Sequence, residues 1–317
     1  AYEDLNKIKS SDKYQYVLPY YNFNTIIDQN YFDGFISFNS SGSNILSETN
    51  NLKSNIINNL NYSENYITSH GLNNNFNLGI EGQLMRAFEM QAIMQASEGI
   101  KIKNAHKIIS KIRLHKKKYE VENIRKAVDI AEQTLSDTIN FVKEGRTEIE
   151  IKKYLMQKLL EFGANDIAFE PLVLAGSNSA LCHGHSRDDY QIKKGDCILF
   201  DFGANVNGYN SDITRTFFLG SVNEENRNMY DVVYKANSVG RKVSKPGISM
   251  HDLDDNVMKI LEASNFKQYI VHKTGHGLGM DVHEDPYVMR KNHELLEEGM
   301  VITIEPGLYK ENHLGIR

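Results

Sequence analysis

Four stretches in the second half of the chain repeat apolar residues at the three- and four-residue spacing of an amphipathic helix. The first begins at Tyr119, and its apolar face comprises Val121, Ile124, Val128, Ala131, Leu135, Thr138 and Val142. Gly145 follows it as a helix-ending residue. The second opens on Thr147 and Glu150, which have the spacing of a capping box, and ends near Gly163. The pattern therefore predicts two consecutive helices.

The same order then recurs further along the chain. A hairpin with apolar arms follows the first helix pair, over residues 197–218. A third helix is predicted from Asn223 to about Pro246, and a fourth from Ser249 to about Ala263. Strand-like segments follow at residues 269–276, 300–306 and 308–317. The pattern predicts two helix–helix–hairpin halves that are related in topology rather than in residue identity.

Residues 1–110 have a different texture and are rich in Asn, Ser and Tyr. Residues 32–38 are typical of a strand and residues 84–96 of a helix, which predicts a small α/β domain with polar loops. A basic run, Lys111–Lys118, is interpreted as a solvated linker or helix face. We place the boundary there, which gives an N-terminal domain over residues 1–112 and a catalytic domain over residues 113–317.

Composition narrows the class of protein. The chain has 317 residues, of which 40% are hydrophobic and 24% charged, as in a soluble globular protein. Its net charge of −5 favours neither nucleic acid nor an anionic membrane as a partner. Two cysteines, Cys182 and Cys197, do not make a disulfide framework. The polar start and the lack of a long apolar run complete the expectation of a cytoplasmic protein.

Asp201 and Asp212 interrupt the two apolar arms of the predicted hairpin, whose turn is indicated by Asn207-Gly208. A hairpin centred next to that turn makes the two carboxylates direct cross-strand partners, or diagonal ones if the register differs. Carboxylates that close in an apolar sheet need a cation, a shared proton or basic partners. They are therefore either ligands of a metal site or turn caps that pair with Arg215 and a lysine.

Three histidines, His272, His276 and His283, lie close together in a glycine-rich stretch. The spacing of the first two suits a helix, but the glycines at 275, 277 and 279 favour a loop or a bulged strand. A single histidine is more often structural, whereas three in such a loop favour a functional site.

Two further positions carry candidate chemistry. Glu305 follows the apolar segment 301–304, predicted as a strand, and is either an exposed strand end or a metal ligand. His183 lies in a loop-like segment, residues 181–185, before the hairpin. Neither position is decisive alone.

In this order the motifs resemble those of the pita-bread metallopeptidases, which include methionine aminopeptidase, prolidase and Xaa-Pro aminopeptidase. The resemblance covers about residues 115–317 and rests on ALCHG, GDCILFDFGANVNGYNSDITRTF, HKTGHGLGMDVHEDP, GMVITIEPGLY and the final GIR. Residues 1–110 resemble the N-terminal domain of the proline-specific branch more loosely. The resemblance implies a mixed α/β (α+β) fold, in which a smaller α/β domain precedes a pita-bread catalytic domain.

The resemblance also implies the site. Two divalent metal ions are expected, with manganese favoured and cobalt, zinc or iron also compatible with carboxylate and imidazole ligands. The implied metal ligands are Asp201, Asp212, His276 and Glu305, with Asp212 bridging both ions and Glu305 also moving a proton. The implied substrate-contacting residues are His183, His272, His283 and Arg317.

The implied activity is removal of an N-terminal residue from small peptides with proline at the second position. Residues 283–286, His-Glu-Asp-Pro, favour an Xaa-Pro aminopeptidase over a prolidase that cleaves Xaa-Pro dipeptides. An inactive pita-bread binding module and the metal-free, creatine-hydrolysing type of relative are the alternatives, and the four retained ligands argue against both. A homodimer is compatible with the resemblance.

Two departures from the family pattern stand out. Cys182 occupies the position before His183 where proline is usual, and little effect is expected from this small side chain. The family pattern also continues beyond GIR to a second bridging glutamate, whereas this sequence stops at Arg317. The expectation is that the sequence is part of a longer chain that carries this glutamate.

Overall fold

The computed structural model describes the backbone of residues 14–27, 35–47, 52–63, 66–68, 71–73, 76–82, 85–96 and 100–317. Side chains are described from residue 78 onward within these ranges, apart from residue 96. The chain divides into two compact units between Ile109 and Ser110. The boundary that we predicted from the basic run stays a prediction.

The first unit contains a five-stranded sheet in the order β1-β2-β3-β6-β7 and a separate strand pair, β4 and β5. Its elements are β1 (Tyr14–Ile27), β2 (Phe35–Ser47), β3 (Leu52–Ser63), β4 (Tyr66–Thr68), β5 (Gly71–Asn73), β6 (Phe76–Ile80), α1 (Ala87–Ala96) and β7 (Ile100–Asn104). The predicted strand and helix correspond to β2 and α1, although residues 32–34 and 83–84 lie outside the described residues. The asparagine-rich β3 pairs with β2 along its whole length, and this ladder overrides the weak strand propensity of Asn.

The helices of the second unit follow the predicted order. They are α2 (His106–Leu114), which begins in the first unit, α3 (Lys118–Phe141), α4 (Glu148–Glu161), α5 (Glu224–Val243) and α6 (Met250–Glu262). Thr147 and Glu150 form the predicted capping box of α4, and Asn223 and Ser249 cap α5 and α6. No helix among the described residues has the length and apolarity needed to span a membrane.

The strands of the second unit are short. They are β8 (Asp166–Ile167), β9 (Leu172–Ala175), β10 (Cys197–Phe202), β11 (Ala204–Val206), β12 (Tyr209–Asn210), β13 (Ile213–Phe218), β14 (Gly275–Gly277), β15 (Glu284–Val288), β16 (Leu308–Lys310) and β17 (Leu314–Ile316). One sheet has the order β13-β10-β9 and another β12-β11-β8, while β14 pairs with β15 and β16 with β17.

Each helix pair covers its own set of strands. Apolar residues of α3 and α4 pack against β9, β10 and β11 in one core cluster. Those of α5 and α6 pack against β16 and β17 in another. This confirms the predicted mixed α/β architecture of two helix–helix–hairpin halves.

The aspartate hairpin is centred on the turn itself. Asn207 and Gly208 both have positive φ, of 52° and 82°, as a tight two-residue turn requires. Val206 therefore pairs with Tyr209, and this register continues to Asp201 opposite Thr214. The direct pairing of Asp201 with Asp212 that we considered is wrong, and the diagonal arrangement is correct. The sequence left this open because the turn signal does not fix its centre to one residue.

Two predicted strands differ from the structure. Residues 267–269 form a 3-10 turn, and of the predicted segment 269–276 only Gly275 and His276 lie in a strand, β14. Residues 301–305 form no regular strand, although Leu278 and Thr303 donate backbone hydrogen bonds between this segment and the glycine-rich stretch. Glycine permits such close backbone approach without supporting a continuous ladder: a Cβ on Gly275 would lie 2.1 Å from the Thr303 carbonyl oxygen.

Candidate metal centre

The two aspartates enter the site from the hairpin. Asp201 is the next-to-last residue of the buried strand β10, and Asp212 lies just before β13. Thr214 donates a 3.1 Å hydrogen bond to Oδ1 of Asp201, and the Arg317 guanidinium pairs with Oδ2. Asp212 has a side chain only 8% exposed, and its nearest cationic partner is His276 Nε2, at 3.5 Å from Oδ2.

His276 and Glu305 come from the other half of the unit. His276 Nε2 lies 2.9 Å from Oε1 of Glu305, and Thr303 donates a 3.0 Å hydrogen bond to the same oxygen. Glu305 is held in place by its backbone N–H, which donates to the carbonyl of Thr274 at 2.8 Å. Thr274 in turn donates its N–H to the buried carboxylate of Asp254 on α6. Through Asp254, helix α6 thus holds Thr274, which lies two residues before His276 and bonds to the backbone of Glu305.

The hydrogen bonds of His276 define its ring orientation. Nδ1 lies 3.0 Å from the carbonyl oxygen of Gly277, which can only accept, so Nδ1 carries a proton. Nε2 therefore faces the carboxylates of Asp212 and Glu305. This is the orientation in which a neutral imidazole offers Nε2 as a metal ligand.

Burial and charge shift the pKa values of these groups in opposite directions. Burial, with the neighbouring charges of Asp201 and Glu305, raises the pKa of Asp212 to about 7. Burial also pushes the pKa of Glu305 upward, but the hydrogen bond from His276 and the charge of Arg317 outweigh it and lower that pKa to about 2. Burial opposes the charge on His276, yet its bond to Glu305 leaves the pKa raised. The raised pKa favours the protonated form of His276 beside the carboxylate of Glu305.

Arg317 and Tyr309 close one side of the site. The side chain of Arg317 is 6% exposed, and its Nε donates a 2.8 Å hydrogen bond to Thr214 while lying 3.9 Å from Glu305. Tyr309, on β16, has its hydroxyl 3.0 Å from Nε2 of His272. Because Nδ1 of His272 bonds to the Lys273 carbonyl, and burial lowers the pKa of His272, Nε2 of the neutral ring accepts from Tyr309.

The remaining histidines lie at the rim. The ring of His283 packs on that of His276, with 4.2 Å between centroids. Burial and the neighbouring His276 lower the pKa of His283. His183 is exposed and close enough to His272 for its charge to lower the pKa of that ring.

The carboxylates and the imidazole that meet here are side chains of the kind that bind divalent cations. It combines three crowded carboxylates, one of them with a raised pKa, and an imidazole nitrogen aimed at two of them. Among residues with described side chains, however, no three of these donor types are arranged as a ready-made metal cage. In this arrangement Arg317 occupies an oxygen of Asp201, and Nε2 of His276 lies against one of Glu305. Basic side chains of the chain itself thus pair with two of the three carboxylates.

The eight candidate residues lie in one neighbourhood, although their roles stay predictions. The carboxylates of Asp212 and Glu305 and the guanidinium of Arg317 also line a cavity of about 640 Å³. Sequence reasoning missed Tyr309, Thr214 and Thr303, which bond directly to candidate residues. Thr303 lies between Ile302 and Ile304, and this alternation was a usable signal. Tyr309 reads as an ordinary core aromatic.

Sequence reasoning also misread the basic run. Lys117 and Lys118 are exposed as expected, but the Lys116 side chain is 2% exposed and pairs with Glu284, next to His283. Lys116 lies in the short segment between α2 and α3, where the helical spacing of apolar residues is interrupted. The sequence pattern there does not show which side chain is buried.

Comparison with known proteins identifies the fold. Residues 122–317 match the model of metallopeptidase family M24. The chain is 36% identical over 247 residues to an Xaa-Pro dipeptidase of Pyrococcus furiosus, which corresponds to 78% of this chain and 70% of that protein.

Solved structures agree. The prolidase from Pyrococcus furiosus superposes with a TM-score of 0.73 at 36% identity, covering 76% of this chain and 71% of that one. The X-Pro aminopeptidase from Thermotoga maritima gives 0.70 at 31% identity, covering 76% and 68%. These matches confirm the pita-bread fold that the sequence motifs indicated.

Proposed function

The chain belongs to metallopeptidase family M24, and from that premise we propose that it hydrolyses the bond between a first residue and a following proline in small peptides. The observation that carries the proposal is the meeting of Asp212, His276 and Glu305 from both halves of the unit. The relatives named as Xaa-Pro dipeptidase and X-Pro aminopeptidase support the choice of substrate.

The ligands proposed for two divalent ions are Asp201, Asp212, His276 and Glu305, with manganese favoured. When bound, such ions acidify water and polarise a carbonyl group. With a metal ion bound, His276 would offer a neutral Nε2 as a ligand, and its bond to the Gly277 carbonyl would hold the ring in that orientation. Glu305, which lies beside Nε2, would be the carboxylate that ligates the ion and carries a proton to the leaving nitrogen.

The rim residues act on the substrate. His183 and His283 are exposed on the side of the ligands, where imidazole N–H groups can stabilise the developing oxyanion. Tyr309 orients His272 by donating to its Nε2. Arg317 is assigned to the substrate by resemblance, and its bonds to Asp201 and Thr214 keep its guanidinium at the centre of the site.

Two substrate lengths are candidates. The Glu-Asp-Pro sequence after His283 favoured tripeptides and longer peptides, but both carboxylate oxygens of Glu284 are engaged by Lys116 and Arg113. Each oxygen of Glu284 thus already has a cationic partner, which favours a structural role for this side chain. The names of the relatives in Pyrococcus favour dipeptides.

The test is hydrolysis of an Xaa-Pro dipeptide, an Xaa-Pro-Xaa tripeptide and an Xaa-Ala control after dialysis against a chelator and re-addition of Mn²⁺. We expect cleavage only of the proline peptides, only with metal, and strongly reduced in Asp212→Asn. Cleavage of the dipeptide alone assigns a prolidase, and cleavage of the tripeptide assigns an aminopeptidase. Bound metal below stoichiometric amounts, with no cleavage after metal addition, would favour a binding module instead.

A further inference from the structure

A buried ion cluster joins the segment before α3 to the edge of the site. Lys116 Nζ lies 2.5 Å from Oε1 of Glu284, and Arg113 NH2 lies 2.7 Å from Oε2. The side chains of Lys116 and Glu284 are only 2% and 8% exposed. Arg113 also reaches Asp281, at 2.7 Å. Both oxygens of one buried carboxylate are thus held by two different cations.

Glu284 is tied to the site on its other side. Its backbone pairs with Gly277, the residue after His276, at the bulged end of the β14–β15 ladder. Gly279 packs directly over the carboxylate, since a Cβ at that glycine would lie 2.5 Å from Oε1. His283 precedes Glu284 in the chain and stacks on His276. The carboxylate of Glu284 is therefore packed against the same loop that carries both histidines.

The segment that supplies the cations is itself fixed. The backbone N–H of Lys116 donates to the carbonyl oxygen of Gly299 at 2.9 Å. Gly299 begins the extended segment that leads to Glu305. Lys116 thus contacts both the histidine loop and the start of the glutamate segment.

We propose that Glu284 is a positioning residue whose anchoring by Lys116 and Arg113 holds His283 against His276 in the geometry needed for catalysis. The inference rests on the proposed function, in which His283 acts on the reacting carbonyl. Burying charges carries a desolvation cost, so such a cluster is a poor source of stability. Charge-assisted hydrogen bonds are short and directional, and two of them on one carboxylate fix its orientation. We therefore expect the cluster to fix the orientation of Glu284 rather than to add to the stability of the fold.

The experiment compares Glu284→Gln, Lys116→Met, Arg113→Met and Arg113→Lys in the whole chain. The matched control is Lys118→Met, because this lysine belongs to the same basic run but is exposed. Two quantities are measured, the first with Mn²⁺ and the second with diamagnetic Zn²⁺, because paramagnetic Mn²⁺ would broaden the signal of a ring that stacks on a metal ligand. One is kcat and KM for an Xaa-Pro peptide, corrected for the folded fraction. The other is the NMR signal of the His283 ring in histidine-labelled protein, assigned with His283→Asn.

We expect Glu284→Gln and Lys116→Met to lower kcat at least tenfold with less than a threefold change in KM, and to shift the His283 signal. Arg113→Met is expected to lower kcat about threefold, because Lys116 remains, and Arg113→Lys to restore it to within twofold. Lys118→Met leaves both measurements unchanged. If Lys116→Met does not fold, Glu284→Gln and the two Arg113 variants decide.

Two outcomes overturn the inference. One is a kcat within twofold of wild type in the Glu284 and Lys116 variants, and the other is a lower kcat with an unmoved His283 signal. A wild-type chain that cleaves no proline peptide, while the His283 signal still moves in these variants, overturns the proposed function and leaves the positioning role supported.

Discussion

At the scale of single residues, the site is a cluster of acids whose charges are balanced from within. The charge of Asp212 is the least compensated, because its side chain is buried beside two other carboxylates and, among residues with described side chains, pairs with no arginine or lysine. Its raised pKa of about 7 shows that the folded chain disfavours its ionised form. A divalent cation removes that penalty, which is why this position suits a bridging ligand.

The first prediction concerns stability and pH. The folded-state pKa of Asp212 lies above its ordinary value of 3.8, so the stability it contributes is present below pH 3.8 and is lost as the pH rises through about 7. The loss is on the order of 4 kcal/mol at most. In chelator, Asp212→Asn should therefore be more stable than wild type at pH 8, and the difference should vanish near pH 4. Urea unfolding across this range measures it.

The control for this prediction is Asp189→Asn, because Asp189 is exposed. It should follow the wild-type curve at every pH. An Asp212→Asn variant that is less stable than wild type at pH 8 in chelator would contradict the prediction.

Some residues of the site could be predicted from the sequence and others could not. Asp201, Asp212, His276 and Glu305 were predictable because charged or imidazole groups interrupt apolar or glycine-rich patterns. Tyr309 and Lys116 were not, because an aromatic residue after a turn and a lysine in a basic run are each common in roles unrelated to a site. Their importance comes from partners distant in sequence, Lys116 with Glu284 and Tyr309 with His272.

At the scale of elements, local signals predicted the helices well. The second helix is an example, because Thr147 and Glu150 satisfy each other's backbone N–H groups as their spacing indicated. Such signals are local and need no tertiary context. The glycine-rich loop was harder, since its conformation depends on pairing with β15 and with residues 301–305.

The second prediction tests the cap of α4. Thr147→Ala removes the side-chain oxygen that accepts from the Glu150 N–H, and should lower the free energy of unfolding by about 1 kcal/mol. Lys153→Ala, on the exposed face of the same helix, should change it by less than about 0.5 kcal/mol. Equal effects in urea unfolding would show that the cap contributes nothing.

The third prediction concerns the loop that carries His276. A Cβ on Gly277 would lie 2.2 Å from the carbonyl oxygen of Asp285, so Gly277→Ala should force β14 and β15 apart. We expect a Mn²⁺ affinity at least tenfold lower, measured by calorimetry. Gly145→Ala is the control, since Gly145 has a φ of +86° but open space around its Cβ position. It should lose stability by about 1 kcal/mol while its Mn²⁺ affinity stays unchanged.

At the scale of the whole molecule, the site lies where two halves of one unit meet. Asp201 and Asp212 come from the half packed on α3 and α4, whereas His276 and Glu305 come from segments near α5 and α6. The order of elements predicted these halves from the sequence. It did not predict their contacts, because pairing between distant segments is set by shape and register rather than by local propensity.

The fourth prediction follows from that location. Ions held by ligands from both halves stabilise the folded unit by mass action, by about 4 kcal/mol at a thousandfold excess over Kd. Mn²⁺ should therefore raise the midpoint of thermal unfolding by on the order of 10 °C. His276→Ala should abolish most of this shift, and His293→Ala, at an exposed position, should retain it. A shift that survives in His276→Ala would locate the metal elsewhere.

The turn of the aspartate hairpin sets a rule for how this protein can change in length. Every cross-strand pair from Asp201 to the tip is counted from Asn207-Gly208, so one residue added to a single arm would rotate Asp212 to the opposite face. One residue added to each arm beyond the Asn205–Asn210 pair would leave Asp201 opposite the same threonine. Changes of length at this tip therefore keep the register of the acids only when they come in matched pairs.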